Sequence, residues 1–367
     1  MQIERSRLDA ALRLAATVKP HSKDEHNALL STHDDGRLCV RVRGEQEVRL
    51  LVESDGGEAL KSTRYPIAEL RKAIAALPDG VVFLTQSKGQ FLLLTHESDL
   101  ARAEVHGFEG NASMFEGPAS LYRAVTDGGS AVDAGDLAAL LDRTSYCAST
   151  DESRPALTQT LVTADGAAMD AVATDGHRLA YARRPCIGDA VTFGVPAQTA
   201  KLLQSIITHA GADTVRVCVD GGGRMAQFAA GDAVVWIRQI DCTFPHWRSV
   251  VPDAAGRHRM TVDRDALLDA ARAAGGMVDT RAPILRISIA EASVRVHGGH
   301  DGHAVQRHVG CSATADAEIG LNARYLADAL GRLSPGDCVI RYSDALSAVT
   351  ISRDDSEDFS LIMPMRQ

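Results

Sequence analysis

The chain reads as an α+β protein built from three copies of one unit, each with two helices packed on antiparallel sheets, and three observations predict this. Helix-like segments recur at Arg5 to Ala16, Asp133 to Thr144 and Asp263 to Ala274, with Leu8, Leu137 and Leu267 in equivalent places. A second set follows at a similar period: Ile67 to Leu77, Ala197 to Ile207 and Ala323 to Leu333, with small and apolar residues at helical spacing. Short alternating runs with strand character fill the remainder. A period this long belongs to whole domains rather than to solenoid repeats. The expected divisions are 1–125, 126–252 and 253–367, falling in the polar stretch Thr126 to Ser130 and near Val251 to Gly256, with Pro252 closing the second copy.

In chain order, the first copy carries strand signals at Arg37 to Val42 and Val81 to Gln86. In the second, Asp175-Gly176 sits between the alternating runs Met169 to Thr174 and His177 to Arg184, a strong hairpin signal that, taken alone, marks only a tight turn. Thr214 to Val219 and Val234 to Gln239 follow, and Asp220-Gly221-Gly222-Gly223-Arg224 joins strand to strand, which favours a hairpin loop over a phosphate cradle. The third copy has Ile284 to Ile289, Ser293 to Val296, Ala304 to His308 and Cys338 to Tyr342, with glycines between the middle two reading as a flexible turn.

At 367 residues, 45% hydrophobic and 24% charged, the chain is globular and long enough for two or three domains. No apolar run reaches transmembrane length and MQIERSRLDAALRLAA is not a secretory leader, so a cytoplasmic protein is expected. Seven cysteines (Cys39, Cys147, Cys186, Cys218, Cys242, Cys311, Cys338) form no CxxC pair and suit reduced, buried thiols without disulfides or a zinc finger. The net charge of -9 argues against a plain phosphate binder. It does not fix where positive charge is placed.

No Walker loop, GxSxG elbow or HExxH motif is present, which favours binding over catalysis, with no cofactor and no metal. The competing reading is a metal-dependent hydrolase using His297, His300, Asp301 and His303 in HGGHDGH, since these are transition-metal ligand types. A flexible loop holds metal geometry poorly.

The octapeptide Ala173 to Ala180, ATDGHRLA, and the terminal run Leu361-Ile362-Met363-Pro364-Met365-Arg366 together resemble the bacterial DNA polymerase III beta-subunit family of sliding clamps. Phe244-Pro245-His246-Trp247-Arg248 and Leu321 to Leu326 carry the same likeness. The resemblance implies the DNA clamp fold and a ring-forming, head-to-tail homodimer. It also implies a non-enzymatic processivity factor that encircles double-stranded DNA without sequence preference. Its partners would be the polymerase III alpha subunit, the clamp loader, other polymerases and repair proteins, held through a peptide pocket. That pocket would be lined by Leu157, Thr174, Gly176, His177, Arg178, Leu179, Pro245 and Val250, with Asn322, Tyr325, Met363, Pro364, Met365 and Arg366. Flexible methionines suit a pocket that accepts several peptides, and Arg178 or Arg366 would fix polar groups.

DNA contact is expected from Arg154 and from the helix residues Arg5, Arg7, Arg71, Lys72, Lys201, Arg264, Arg272, Arg324 and Arg332, each of which equally reads as a solvated helix residue. The dimer interface would use Phe108 and, where the family has bulky residues but this chain has Gly275-Gly276, Met277. Further departures are Ser249 in place of a second basic residue, His21-Ser22-Lys23-Asp24-Glu25-His26 after Lys19-Pro20, and Arg43 to Val48. The divergence of the first copy makes a specialised clamp paralogue a rival reading.

Overall fold

The computed structural model describes the chain except residues 21–25, 45, 88–90, 100, 110–128, 254–256 and 367. The divergent segment after Pro20 and both expected division points therefore lie wholly or partly outside the described residues. Six helices are present among those described: α1 (Arg5–Ala15), α2 (Ile67–Ala75), α3 (Ala134–Thr144), α4 (Ala197–Ala210), α5 (Arg264–Gly275) and α6 (Ala323–Gly331). Each follows directly on a strand. Asp133 and Asp263, expected as first helical residues, instead cap α3 and α5, their carboxylates accepting from the N–H of Asp136 at 2.9 Å and Ala266 at 2.8 Å.

One junction recurs three times and makes the repeat physical. The strand before the first helix of each pair runs antiparallel to the strand after the second helix, with Glu4 opposite Val81, Asp133 opposite Thr214 and Asp263 opposite Asp337. In each case the first helical N–H, which has no partner within its helix, donates to the carbonyl just ahead of that strand: Arg5 to Gly80, Ala134 to Asp213 and Arg264 to Gly336, at 2.9, 2.9 and 3.1 Å.

Two compact units contain these elements. The first comprises Met1–Ala138, Thr163–Ala168 and Pro185–Asp241. Its ten-stranded sheet places Ala233–Arg238 beside Gln46–Val52, so strands from two copies share one ladder. Leu8, Leu12, Leu70 and Ile74, one apolar stripe on each of α1 and α2, are buried with Leu30, Val40 and Tyr65.

The second unit comprises Ala139–Val162, Met169–Arg184 and Cys242–Gln367. Its core joins Leu267, Leu268 and Ala271 of α5 with Leu326 and Leu330 of α6 over Leu285, Ile287 and Ile340. The strand Phe359–Ile362 lies between Arg178–Pro185 and Val349–Ser352, paired on both edges.

Two expectations need correction. The segment HGGHDGH is not a glycine-rich flexible turn, because Ser293–His300 and His303–Ala313 form one long hairpin whose turn is only Asp301-Gly302. Gly298 lies within the strand, where a Cβ would stand 2.1 Å from the Ala274 carbonyl oxygen. Close packing against α5, not flexibility, requires that glycine. Not all thiols are buried either, since Cys242 is exposed and Cys311 half-buried. No helix among the described residues is long and apolar enough to cross a membrane.

Candidate peptide-binding cleft

The turn after Ala168–Thr174 is locked by its own side chains. Asp175 Oδ1 accepts from the N–H groups of His177 at 2.9 Å and Arg178 at 3.0 Å, while Thr174 Oγ1 accepts from Gly176 N at 3.1 Å and donates to the Arg178 carbonyl at 2.6 Å. Gly176 has φ +92°, which L side chains rarely adopt. This leaves Gly176 and His177 exposed at the tip and turns Arg178 inward.

Arg178 is only 7% exposed. Its Nε donates to Asp175 Oδ2 at 2.9 Å and its Nη1 to Asp328 Oδ2 at 2.7 Å, and its guanidinium lies 4.3 Å from the Tyr325 ring centre and 5.5 Å from that of Tyr146. The expected peptide-fixing arginine is thus a brace between the turn and α6. Beside it, burial pushes the Cys147 thiol up to about 12.

Leu179 faces the other way. It sits opposite Leu361 and packs with Val172 and Ala348, bordered by Phe244, Trp247, Tyr181 and Phe359. It is a floor residue. Beyond Ile362 the chain stays extended: Met363 N–H donates to the His177 carbonyl at 2.9 Å and Met365 N–H to that of Gly320 at 2.8 Å. Pro364 between them has no N–H to leave unmet. Asn322 is engaged as the cap of α6, accepting from Arg324 and Tyr325 N–H.

An open cleft of about 460 Å³ adjoins this floor, lined by Val250, Pro252, Asp253, Arg257, Ser343, Leu346, Ser347, Ala348 and Met363. Val250, Leu346 and Met363 are 54%, 62% and 40% exposed. Three large uncovered apolar side chains around one cleft mark a contact surface. Of the expected pocket residues, Val250 and Met363 line the cleft and Leu179 lies beneath it. Leu157 is buried, while Pro245 and Arg366 are exposed. Leu346, Ala348 and Arg257 escaped the sequence reading. The signal for Leu346 is a lone large apolar residue in the polar turn Ser343 to Ser347, whose Asp344 accepts from Leu346 and Ser347 N–H at 2.8 and 2.7 Å. Ser249, where a second basic residue was expected, donates Oγ–H to the His246 carbonyl at 2.7 Å, and Arg248 stacks on Trp247.

The cationic residues divide by exposure. Arg264 is largely covered and paired with Asp265, and Arg5 donates to the Ile74 carbonyl and to Asp79. Arg7, Lys72, Arg154, Arg324 and Arg332 pair with Glu53, Glu69, Asp151, Asp328 and Asp142. Arg71, Lys201 and Arg272 are exposed and make no ion pair among the described residues. Phe108 and Met277 are 48% and 43% exposed. Gly275 lies where a Cβ would meet Ala323 Cβ at 3.2 Å, so a bulky residue there would press α5 against the start of α6. His297, His300, Asp301 and His303 do not assemble a ligand set: among the described residues no group of three or more His, Cys, Asp or Glu is placed to hold a metal ion.

Models of the DNA polymerase III beta subunit match this chain in two parts, the central domain at residues 131–246 and the C-terminal domain at 248–366. The Beta sliding clamp of Caulobacter vibrioides is 28% identical over 246 residues, a match spanning 64% of this chain and 65% of that protein. That of Pseudomonas aeruginosa is 24% identical over 349 residues, 90% of each. Among solved structures, a Pseudomonas aeruginosa sliding clamp superposes with TM-score 0.87 at 22% identity, and the Thermotoga maritima DNA polymerase III beta subunit with 0.86 at 19%, each over 100% of this chain and 99% of the other. A Pseudomonas aeruginosa sliding clamp bound to griselimycin superposes with TM-score 0.88 at 21% identity. With the two domain models together covering more than half of its length, the chain belongs to the DNA polymerase III beta-subunit family, the beta sliding clamps.

Proposed function

We propose that this protein is a non-catalytic DNA sliding clamp: two copies close head to tail around duplex DNA, and the cleft of each holds a short linear peptide of the replicative polymerase, the clamp loader or a repair protein. The observation that carries the reading is the meeting of two distant sequence signatures at one cleft. Arg178 stands opposite Ile362, and Met363 donates to His177, beside the uncovered Val250 and Leu346. On this reading the chain divides at 1–125, 126–252 and 253–367 and works in the cytoplasm. Exposed helix cations such as Arg71, Lys201 and Arg272 make weak, sequence-blind phosphate contacts, which sliding requires. Phe108 and Met277 supply apolar contacts between copies.

Calorimetry with a peptide from the polymerase alpha subunit tests the cleft. Deleting Met363 to Gln367 removes the cleft-lining Met363 and two backbone hydrogen bonds, and peptide binding should disappear while the melting profile stays close to that of the intact chain. Equal affinity of both proteins would place the peptide site elsewhere.

A further inference from the structure

Two strands leave an edge open among the described residues. Arg102–His106 ends the four-stranded sheet of the first unit and pairs only with Phe91–His96. In the second unit His303–Ala313 pairs with Ser293–His300 from His303 to Gly310, but only Cys311 to Ala313 have a partner, His258–Asp263, on the other side. Unpaired N–H and C=O groups along such edges are a template for a strand of another chain. Each edge also exposes a histidine. His106 is held between the rings of Phe91 and Phe108, with ring centres 4.7 and 5.7 Å away. His308 lies beside Gln306, whose amide nitrogen stands 2.8 Å from His308 Nε2. An amide N–H can donate only to a ring nitrogen that carries no proton, so this contact belongs to the neutral imidazole.

Few carboxylates face these two histidines. On the side of its strand that carries His106 the charged residues are Glu104 and Arg102, and the neighbouring strand adds only Phe91, Leu93 and Thr95 there. From His308 the row across the sheet runs through Arg295 and Ser288 to Glu318, and Glu318 is paired with Arg286 at 3.3 Å. His297 lies opposite Gln306, and at the hairpin tip His300 faces His303 and meets Asp301 at 3.1 Å. We propose that protons control closure of the ring at these edges: the copies associate while His106 and His308 are neutral and separate as they gain charge. This rests on the head-to-tail reading and adds its regulation. Joining the edges gathers Arg102, Arg295 and both histidines around Glu104, and like charges on paired strands are destabilising. The open form therefore takes up protons more readily than the closed one, so closure is favoured at high pH and lost as the pH falls through the range, about 5 to 8, in which histidine titrates.

The test is sedimentation equilibrium of the full-length protein between pH 8.0 and 5.5 at constant ionic strength, with circular dichroism recorded on the same samples. The dimer dissociation constant should rise about tenfold over this range, as expected for one like-charge contact at each of two closures, while the dichroism stays unchanged. In the double variant His106→Gln, His308→Gln the constant should be the same at both ends of the range. Each single variant should keep only part of the slope, which separates loss of a titrating group from general weakening of the interface. A wild-type dimer of equal strength at pH 8.0 and 5.5 overturns the proposal, as does a slope undiminished in the double variant or a dissociation that tracks loss of the dichroism signal. Monomer at every pH removes the ring reading as well, so the two failures are distinguishable.

Discussion

At the scale of single residues, the site depends on a few side chains whose work differs from what their type suggests. Arg178 is held by Asp175 and Asp328 in a nearly closed pocket between two tyrosines. Removing one partner of a buried ion pair commonly costs about 3 to 5 kcal/mol, so Arg178→Ala should lower the denaturant midpoint of this unit as well as peptide affinity. Loss of affinity with unchanged stability would restore Arg178 as a direct peptide contact. The thiols give a second check. Cys147 is buried and stays protonated at neutral pH, since burial pushes it up to about 12, whereas Cys242 is exposed. Thiolate is the reactive form, so mass spectrometry after brief maleimide treatment at pH 7.5 should find Cys242 modified first and Cys147 untouched. The sequence made ATDGHRLA legible as a turn and as a family signature. It did not reveal that Arg178 faces inward, because that depends on Asp328, which lies far along the chain.

At the scale of elements, helix positions were legible to within one to three residues, since apolar spacing and the capping residues Asp133, Asp263 and Asn322 lie within the local sequence. Asn322→Ala leaves the N–H groups of Arg324 and Tyr325 without their acceptor and should cost about 1 kcal/mol, read by thermal melting. The hairpin Ser293–His300 and His303–Ala313 was harder to read. Glycine is normally a turn signal, and only the approach of α5 explains why Gly298 lies within a strand. Gly298→Ala places a methyl against the Ala274 carbonyl and should destabilise by about 1 to 3 kcal/mol, the range for overpacking. No change in denaturant midpoint would show that α5 has room to move. The cleft was half legible for a similar reason. The terminal Met363 carries a recognisable motif, but Leu346, Ala348 and Arg257 reach the cleft only through strand order.

At the scale of the whole molecule, the threefold recurrence of one strand–helix junction makes a repeated architecture the direct outcome of a repeated sequence. Phe108 and Met277 are exposed apolar residues, and the proposed head-to-tail ring would have a second copy cover them. Phe108→Ala should shift the dimer toward monomer in sedimentation experiments without unfolding the protomer, the loss of one interface anchor being about 1 kcal/mol or more. The central claim, that the protein holds DNA by enclosing it, is tested most directly on circular DNA. Protein loaded onto a nicked circle should remain bound through a salt rise that strips ordinary phosphate binders, and should leave once the circle is cut. Equal loss from circular and linear DNA would contradict encirclement.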